Sequence, residues 1–136
     1  MRVPLLRLNA RVLIVPLHAD INDECVLDFQ VDLGETVANR QFKGVVIDVT
    51  ALDVVDSYMA RVLNDTARML RLLGAAVVVC GIQPAVALTL VEMGSKLVDL
   101  PTAFNLEKAL VRLDALMAAA DVLPLAGARD EQQPHD

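Results

Sequence analysis

The sequence predicts one α/β domain: a small mixed β-sheet of about four to five strands with about four α-helices packed on it. Two uninterrupted apolar runs, Gly44–Val49 (GVVIDV) and Ala76–Cys80 (AVVVC), have the character of strands buried on both faces of a parallel sheet. A helix-period segment lies between them, which completes a strand, helix, strand unit. The chain has 136 residues and is 55% apolar, long enough to bury roughly two thirds of its unfolded surface in a single core. Three Phe, one Tyr and no Trp make that core aliphatic.

Val3–Leu8 and Val12–Leu17 are short apolar runs around an Asn9-Ala10 turn and read as a strand pair opening the sheet. Asp20 is placed to cap a helix in which Ile21, Cys25, Phe29, Leu33 and Val37 recur every four residues, with Glu24, Asp28, Asp32 and Glu35 between them and Gly34 as a weak point. Between the two apolar strands, Met59, Val62, Leu63, Thr66, Leu70 and Leu73 form a buried stripe. Arg61, Asn64, Asp65, Arg68 and Arg71 form the wet face, and Gly74 the stop. Pro84 suits a first helical turn; Ala85–Met93 fill that helix and Gly94 ends it. Leu97–Leu100 is the expected last edge strand. Thr102 or Asn105 caps a final helix with Leu106, Leu110, Leu113 and Met117 facing inward. The domain is expected over 1–120, and 121–136, polar and acidic from Gly127, is expected to be a disordered tail.

Twelve basic against eighteen acidic residues leave a net charge of −6, which repels phosphate backbones and anionic headgroups and argues against a nucleic-acid or membrane partner. A basic or amphipathic protein surface suits it better. Cys25 and Cys80 have neither metal-ligand nor disulfide spacing and read as inert core thiols in a reducing cytosol. Pro4, Arg7, Asn9 and Arg11 break the N-terminal apolar runs short of the ~20 residues a span needs, so a cytoplasmic location is expected.

Enzymatic chemistry finds little support. There is no GxxxxGK[ST] or GxGxxG, and Gly81 is followed by Ile-Gln-Pro. A hydrolase triad would need His18, since His135 lies in the tail, and Ser57 lacks the glycines of a GxSxG elbow. Asp48, Asp53 and Asp56 surround the end of a strand but have no His beside them, so solvated loop acids are preferred over a metal site. No cofactor is expected. Ser57 opens a helix, where orphan N–H groups and the dipole favour an anion; from geometry alone it is either an N-cap or a phosphoacceptor.

The stretch Val45–Gly94, and most specifically DSYMARVL and GIQPAVALTLVEMG, resembles STAS domains of the anti-sigma-factor antagonist family, and closely the RsbS-type stressosome subunit. The resemblance extends in outline from Val3 to Met117 and implies the STAS fold. It implies that the hydroxyl residue after the aspartate at the start of the second helix, here Ser57 after Asp56, is phosphorylated by a dedicated serine kinase. RsbR-type paralogues typically carry threonine there and an added N-terminal domain. Thr89 falls near a second phosphorylated threonine of those paralogues and is the weaker candidate, with a plain helix role preferred.

The resemblance also implies the partners: a switch serine kinase of the histidine-kinase-like ATPase fold, RsbR-type STAS paralogues, a resetting phosphatase, and a homodimer within a larger assembly. On this reading the chain is a non-enzymatic scaffold that holds the kinase at Asp53, Asp56, Tyr58 and Arg61 and releases it once Ser57 is phosphorylated. The alternative is a simple antagonist that binds an anti-sigma kinase directly, without stressosome assembly. A small-molecule site would need converging polar groups, which the sequence does not supply.

Overall fold

The computed structural model describes residues 3–18, 21–92 and 100–132, with 121–132 described as backbone. The described elements run β1 (Leu6–Arg7), β2 (Val12–Pro16), α1 (Asp23–Arg40), β3 (Gly44–Asp48), α2 (Ser57–Leu72), β4 (Ala76–Cys80), α3 (Pro84–Glu92), β5 (Thr102–Ala103) and α4 (Leu106–Gln132). The strands lie side by side in chain order, β1 antiparallel to β2 and every later pair parallel. This is the mixed α/β sheet expected from the sequence.

The β1–β2 turn forms where Asn9-Ala10 predicts it. The Asn9 Oδ1 accepts from the N–H groups of Arg11 at 2.8 Å and Val12 at 3.0 Å, a side chain standing in for backbone in a turn. Only Leu6 and Arg7 of the predicted first strand pair, opposite Ile14 and Leu13. β3 and β4 occupy the sheet centre, in register from Gly44–Ala76 to Asp48–Cys80. Their side chains alternate between the two faces. Val45, Ile47, Val77 and Val79 join Leu13, Val15, Phe29, Leu33, Leu63 and Leu70 in the main core beneath α1, α2 and α3. Val46, Val78 and Cys80 join Ala109, Leu113 and Met117 of α4 in a smaller core on the opposite face. Each fully buried Val, Leu or Ile contributes about 1.5–3 kcal/mol, which is why continuous apolar runs settle in the centre.

Two glycines set close approaches. A Cβ at Gly44 would meet the Met117 Sδ at 2.6 Å and Leu113 Cδ2 at 2.8 Å, so α4 packs directly on the β3 backbone. At Gly34 a Cβ would meet the Met69 side chain at 3.0 Å. The residue expected to weaken α1 is thus where α1 lies against α2.

Several expectations change. The α1 cap is Asn22, whose Oδ1 accepts from Cys25 N at 2.8 Å; Asp20 lies outside the described residues. The buried stripe of α1 is Val26, Phe29, Leu33, Gly34 and Val37, so Ile21 precedes the helix and Cys25 is only half-buried. On α2, Asn64 is buried at 8% exposure and Leu73 is exposed at 42%, the reverse of the sequence reading. Gly74 does take the left-handed conformation of a helix stop, at φ 92°. The last strand is Thr102–Ala103 instead of Leu97–Leu100, because that is where hydrogen bonds to β4 form. Leu97, Val98 and Asp99 lie outside the described residues, as do Met93 and Gly94 at the end of α3. Asn105 and not Thr102 caps α4, its Oδ1 accepting from Lys108 N at 2.9 Å. Helical backbone continues to Gln132, past the position where the sequence reading starts the tail. Among the described residues no helix is long and apolar enough to cross a membrane.

Candidate functional site

The loops after β2, β3 and β4 gather at the carboxyl ends of the parallel strands, where an open α/β sheet exposes its functional loops. Leu17 N donates to Asp48 O at 2.9 Å and Val49 N to Cys80 O at 2.9 Å, so the sheet ladder runs on into the loop that follows β3. That loop is fixed by two inward anchors, Leu52 at 3% and Val55 at 4% exposure. Asp53, Val54, Asp56 and Ser57 stand between and after them on the surface.

The loop also has a polar brace. The Asp48 Oδ1 accepts from the Thr50 N–H at 3.0 Å and from its hydroxyl at 2.5 Å. The Gln83 side-chain amide donates to the Thr50 carbonyl at 2.7 Å. Gly81, at φ 82°, lies so close to Thr50 that a Cβ would collide with that side chain. These contacts tie the β3–α2 loop to the β4–α3 loop. The sequence reading gave no role to Thr50 and Gln83, and it took Gly81 as a failed phosphate loop and as the start of the GIQPAVALTLVEMG motif; the GxxP spacing before α3 is the signal that was available.

Asp56 begins α2. Its backbone is extended, φ −85° and ψ 177°, and its Oδ1 accepts from Met59 N at 2.8 Å. Asp56 is therefore the N-cap, and Ser57 is the first helical residue, exposed and outside the capping role. Of the two readings open for Ser57, the cap is ruled out. Arg61 is exposed one turn further on, on the same face as Ser57. Tyr58 is half-buried and packs against the main core, so of the expected partner contacts Asp53, Asp56 and Arg61 present themselves fully and Tyr58 only in part. Thr89 is exposed on α3, and its hydroxyl donates to Ala85 O at 3.0 Å, a mid-helix back-bond.

Among the described residues no three His, Cys, Asp or Glu side chains gather as a metal site, so Asp48, Asp53 and Asp56 are not brought together as one. Beneath the brace, the Cys80 thiol is pushed up to about 12 by burial first and then by the charge of Asp48 and a hydrogen bond to it. Cys80 is a proton-holding core group and not a nucleophile. The start of α2 thus presents exposed acids, an arginine and an exposed serine on one surface.

A model of the STAS domain matches residues 4–109, and the chain belongs to that family. Among solved structures it is similar to RsbS of Moorella thermoacetica bearing a serine-to-glutamate substitution, at 40% identity and TM-score 0.74 over 84% of this chain and 96% of that one. It is also similar to a chain of the stressosome, described as a signal integration and transduction hub, at 41% identity and TM-score 0.73 over 83% of this chain and 97% of that one. A curated relative is the RsbT co-antagonist protein RsbRA of Bacillus subtilis (strain 168), 30% identical over 105 residues, or 77% of this chain. The chain spans 38% of the length of that relative. The site therefore sits in a STAS domain similar to those of RsbS and a stressosome chain.

Proposed function

We propose that this chain is a regulatory scaffold that sequesters a serine/threonine switch kinase in a stressosome-like complex with RsbR-type paralogues and releases it when Ser57 is phosphorylated. The observation that carries the reading is the head of α2: Asp56 holds the cap, so the exposed Ser57 hydroxyl is left free to accept a phosphoryl group. The likeness to RsbS and to a stressosome chain, each covering nearly the whole of the other chain, supports the assembly. The unmodified surface of Asp53, Val54, Asp56 and Arg61 docks the kinase, with its substrate serine inside the contact.

Phosphate adds about −1.5 to −2 charges next to Asp56 and near Asp53. Two unit charges 4 Å apart cost about 4 kcal/mol at an effective dielectric of 20 and about 1 kcal/mol in open water, so repulsion grows as the kinase desolvates the patch. The helix N-terminus offsets this within the folded chain by about 0.3–1 kcal/mol. The fold survives and the complex dissociates, and a phosphatase resets the site. The chain itself supplies no catalytic step and acts in the cytoplasm.

Incubation with the kinase and ATP, read by intact mass and peptide mapping, tests the acceptor. One phosphate at Ser57, absent in Ser57→Ala, is expected; stoichiometric phosphate on Thr89 in that variant would show the acceptor to be misassigned.

A further inference from the structure

The chain has three Phe. Phe29 and Phe42 lie in the main core at 2% and 3% exposure, whereas Phe104 is 81% exposed. The backbone on both sides of Phe104 is committed. Ala103 is paired in β5, opposite Cys80, and Asn105 caps α4 through Lys108 N at 2.9 Å. Phe104 is therefore fixed between a strand and a helix cap, and the chain places its one exposed Phe ring in water there.

Phe104 follows β5 as Val49 follows β3 and Gly81 follows β4, so these residues stand level at the carboxyl edge of the sheet. Val49 N donates to Cys80 O at 2.9 Å and Gly81 N to Ala103 O at 3.3 Å, which carries the ladder across that edge. Neighbouring strands are about 4.8 Å apart, so Phe104 stands about 10 Å along the edge from the start of the loop that bears Ser57. In that loop Val54 is a residue of the same kind. It is 78% exposed, held out between Leu52 and Val55, which are buried at 3% and 4%. Between the two, the Gln83 bond to the Thr50 carbonyl at 2.7 Å braces the β4–α3 loop. A large apolar side chain thus stands at each end of one rigid edge, and Ser57 lies at the Val54 end.

We propose that Phe104 is an apolar anchor for the switch kinase, whose docking surface runs along the carboxyl edge of the sheet from Ser57 to the β5–α4 turn. The inference rests on the reading of Ser57 above and extends it to a residue on the far side of β4. A stable protein contact covers about 800 Å² of each partner, a patch roughly 30 Å across. A footprint that takes in the Ser57 loop is therefore wide enough to cross the edges of β3, β4 and β5. The occupant is the kinase because a partner that reaches the serine meets this edge, and Phe104 is part of it. Aromatic side chains are enriched at the centre of protein contacts, where charge is depleted. Asp53 and Asp56 make one end of the surface sensitive to phosphate, and Phe104 gives the other end an uncharged hold.

Isothermal titration of the kinase against the full chain and its Phe104→Ala, Phe104→Leu and Leu72→Ala variants tests it. Phe104→Ala is expected to raise Kd about tenfold or more, and Phe104→Leu by less, since it keeps an apolar side chain. Leu72→Ala removes an apolar side chain that is 89% exposed at the far end of α2 and is expected to leave Kd unchanged. The Phe104→Ala loss is expected to persist as salt rises, because no charge is removed. In phosphorylation assays Phe104→Ala is expected to raise KM for the chain with kcat and the Ser57 acceptor unchanged, as a hold made equally in ground and transition states requires. Sedimentation velocity of each variant alone is expected to match the unsubstituted chain; self-association lost in Phe104→Ala would assign the ring to a second copy and overturn the proposal. Equal kinase affinity for the unsubstituted and Phe104→Ala chains would overturn the anchor and leave the Ser57 reading standing. A kinase that binds neither chain would overturn both.

Discussion

Replacing Asp56 and Ser57 one at a time by alanine separates two adjacent residues that are both good caps by type. Asp56→Ala removes the 2.8 Å bond from Met59 N, and with it the side-chain acceptor that caps α2. A cap loss of this kind costs about 1 kcal/mol, within a range of about 0.5–2. It also removes a negative charge from the helix N-terminus, a further ~0.3–1 kcal/mol discounted by exposure and salt. Ser57→Ala removes a hydroxyl with no capping role, and alanine is the better helix former, so its effect is expected within about 0.5 kcal/mol of zero. With an unfolding entropy of about 2.1 cal/mol/K per residue over 136 residues, 1 kcal/mol corresponds to about 3.5 °C in Tm. Urea titration and calorimetry are therefore expected to place Asp56→Ala about 3–6 °C below the unsubstituted chain and Ser57→Ala level with it. A Ser57→Ala loss as large as that of Asp56→Ala would refute the cap assignment and return Ser57 to a structural role.

Gly81→Ala is expected to destabilise by about 1–3 kcal/mol for its positive φ, with a further cost from the Thr50 collision, and to disturb the Ser57 loop; chemical denaturation and kinase affinity check it. For Cys80 the folded value is raised from 9.0 to about 12, so between those values the folded state holds a proton that the unfolded state has lost. Its stabilisation is complete below pH 9.0 and falls away as pH rises toward 12, which urea titrations across alkaline pH and slow thiol labelling of the native protein check. A denatured-like labelling rate in native protein would contradict that burial.

Much of the fold was legible because its centre is extreme. The runs GVVIDV and AVVVC can satisfy their burial only between two helix layers, and the structure puts them there. The misreadings share a different physics. Asn22 was passed over for Asp20 because both are good caps and backbone dihedrals, not residue type, decide which one acts. Ser57 next to Asp56 posed the same ambiguity, resolved only by Asp56 being extended. β5 is two residues long and exists through Val79 N to Pro101 O at 3.0 Å and Gly81 N to Ala103 O at 3.3 Å, a non-local pairing with no local periodicity. Asn64 was placed in water by its polarity, yet its position on α2 buries it. At the site the surface residues were readable one by one. The brace of Asp48, Thr50, Gly81 and Gln83 joins two loops about 30 residues apart and becomes visible only once β3 and β4 are paired.

The central claim is that charge at Ser57 governs kinase release, and isothermal titration of the kinase against unmodified, Ser57→Asp and fully phosphorylated chain tests it most directly. The unmodified chain is expected to bind tightest and the phosphorylated chain weakest. Ser57→Asp is expected between them, since it adds one charge where phosphate adds up to two. Higher salt should narrow the gap. Equal affinity for unmodified and fully phosphorylated chain would contradict the account.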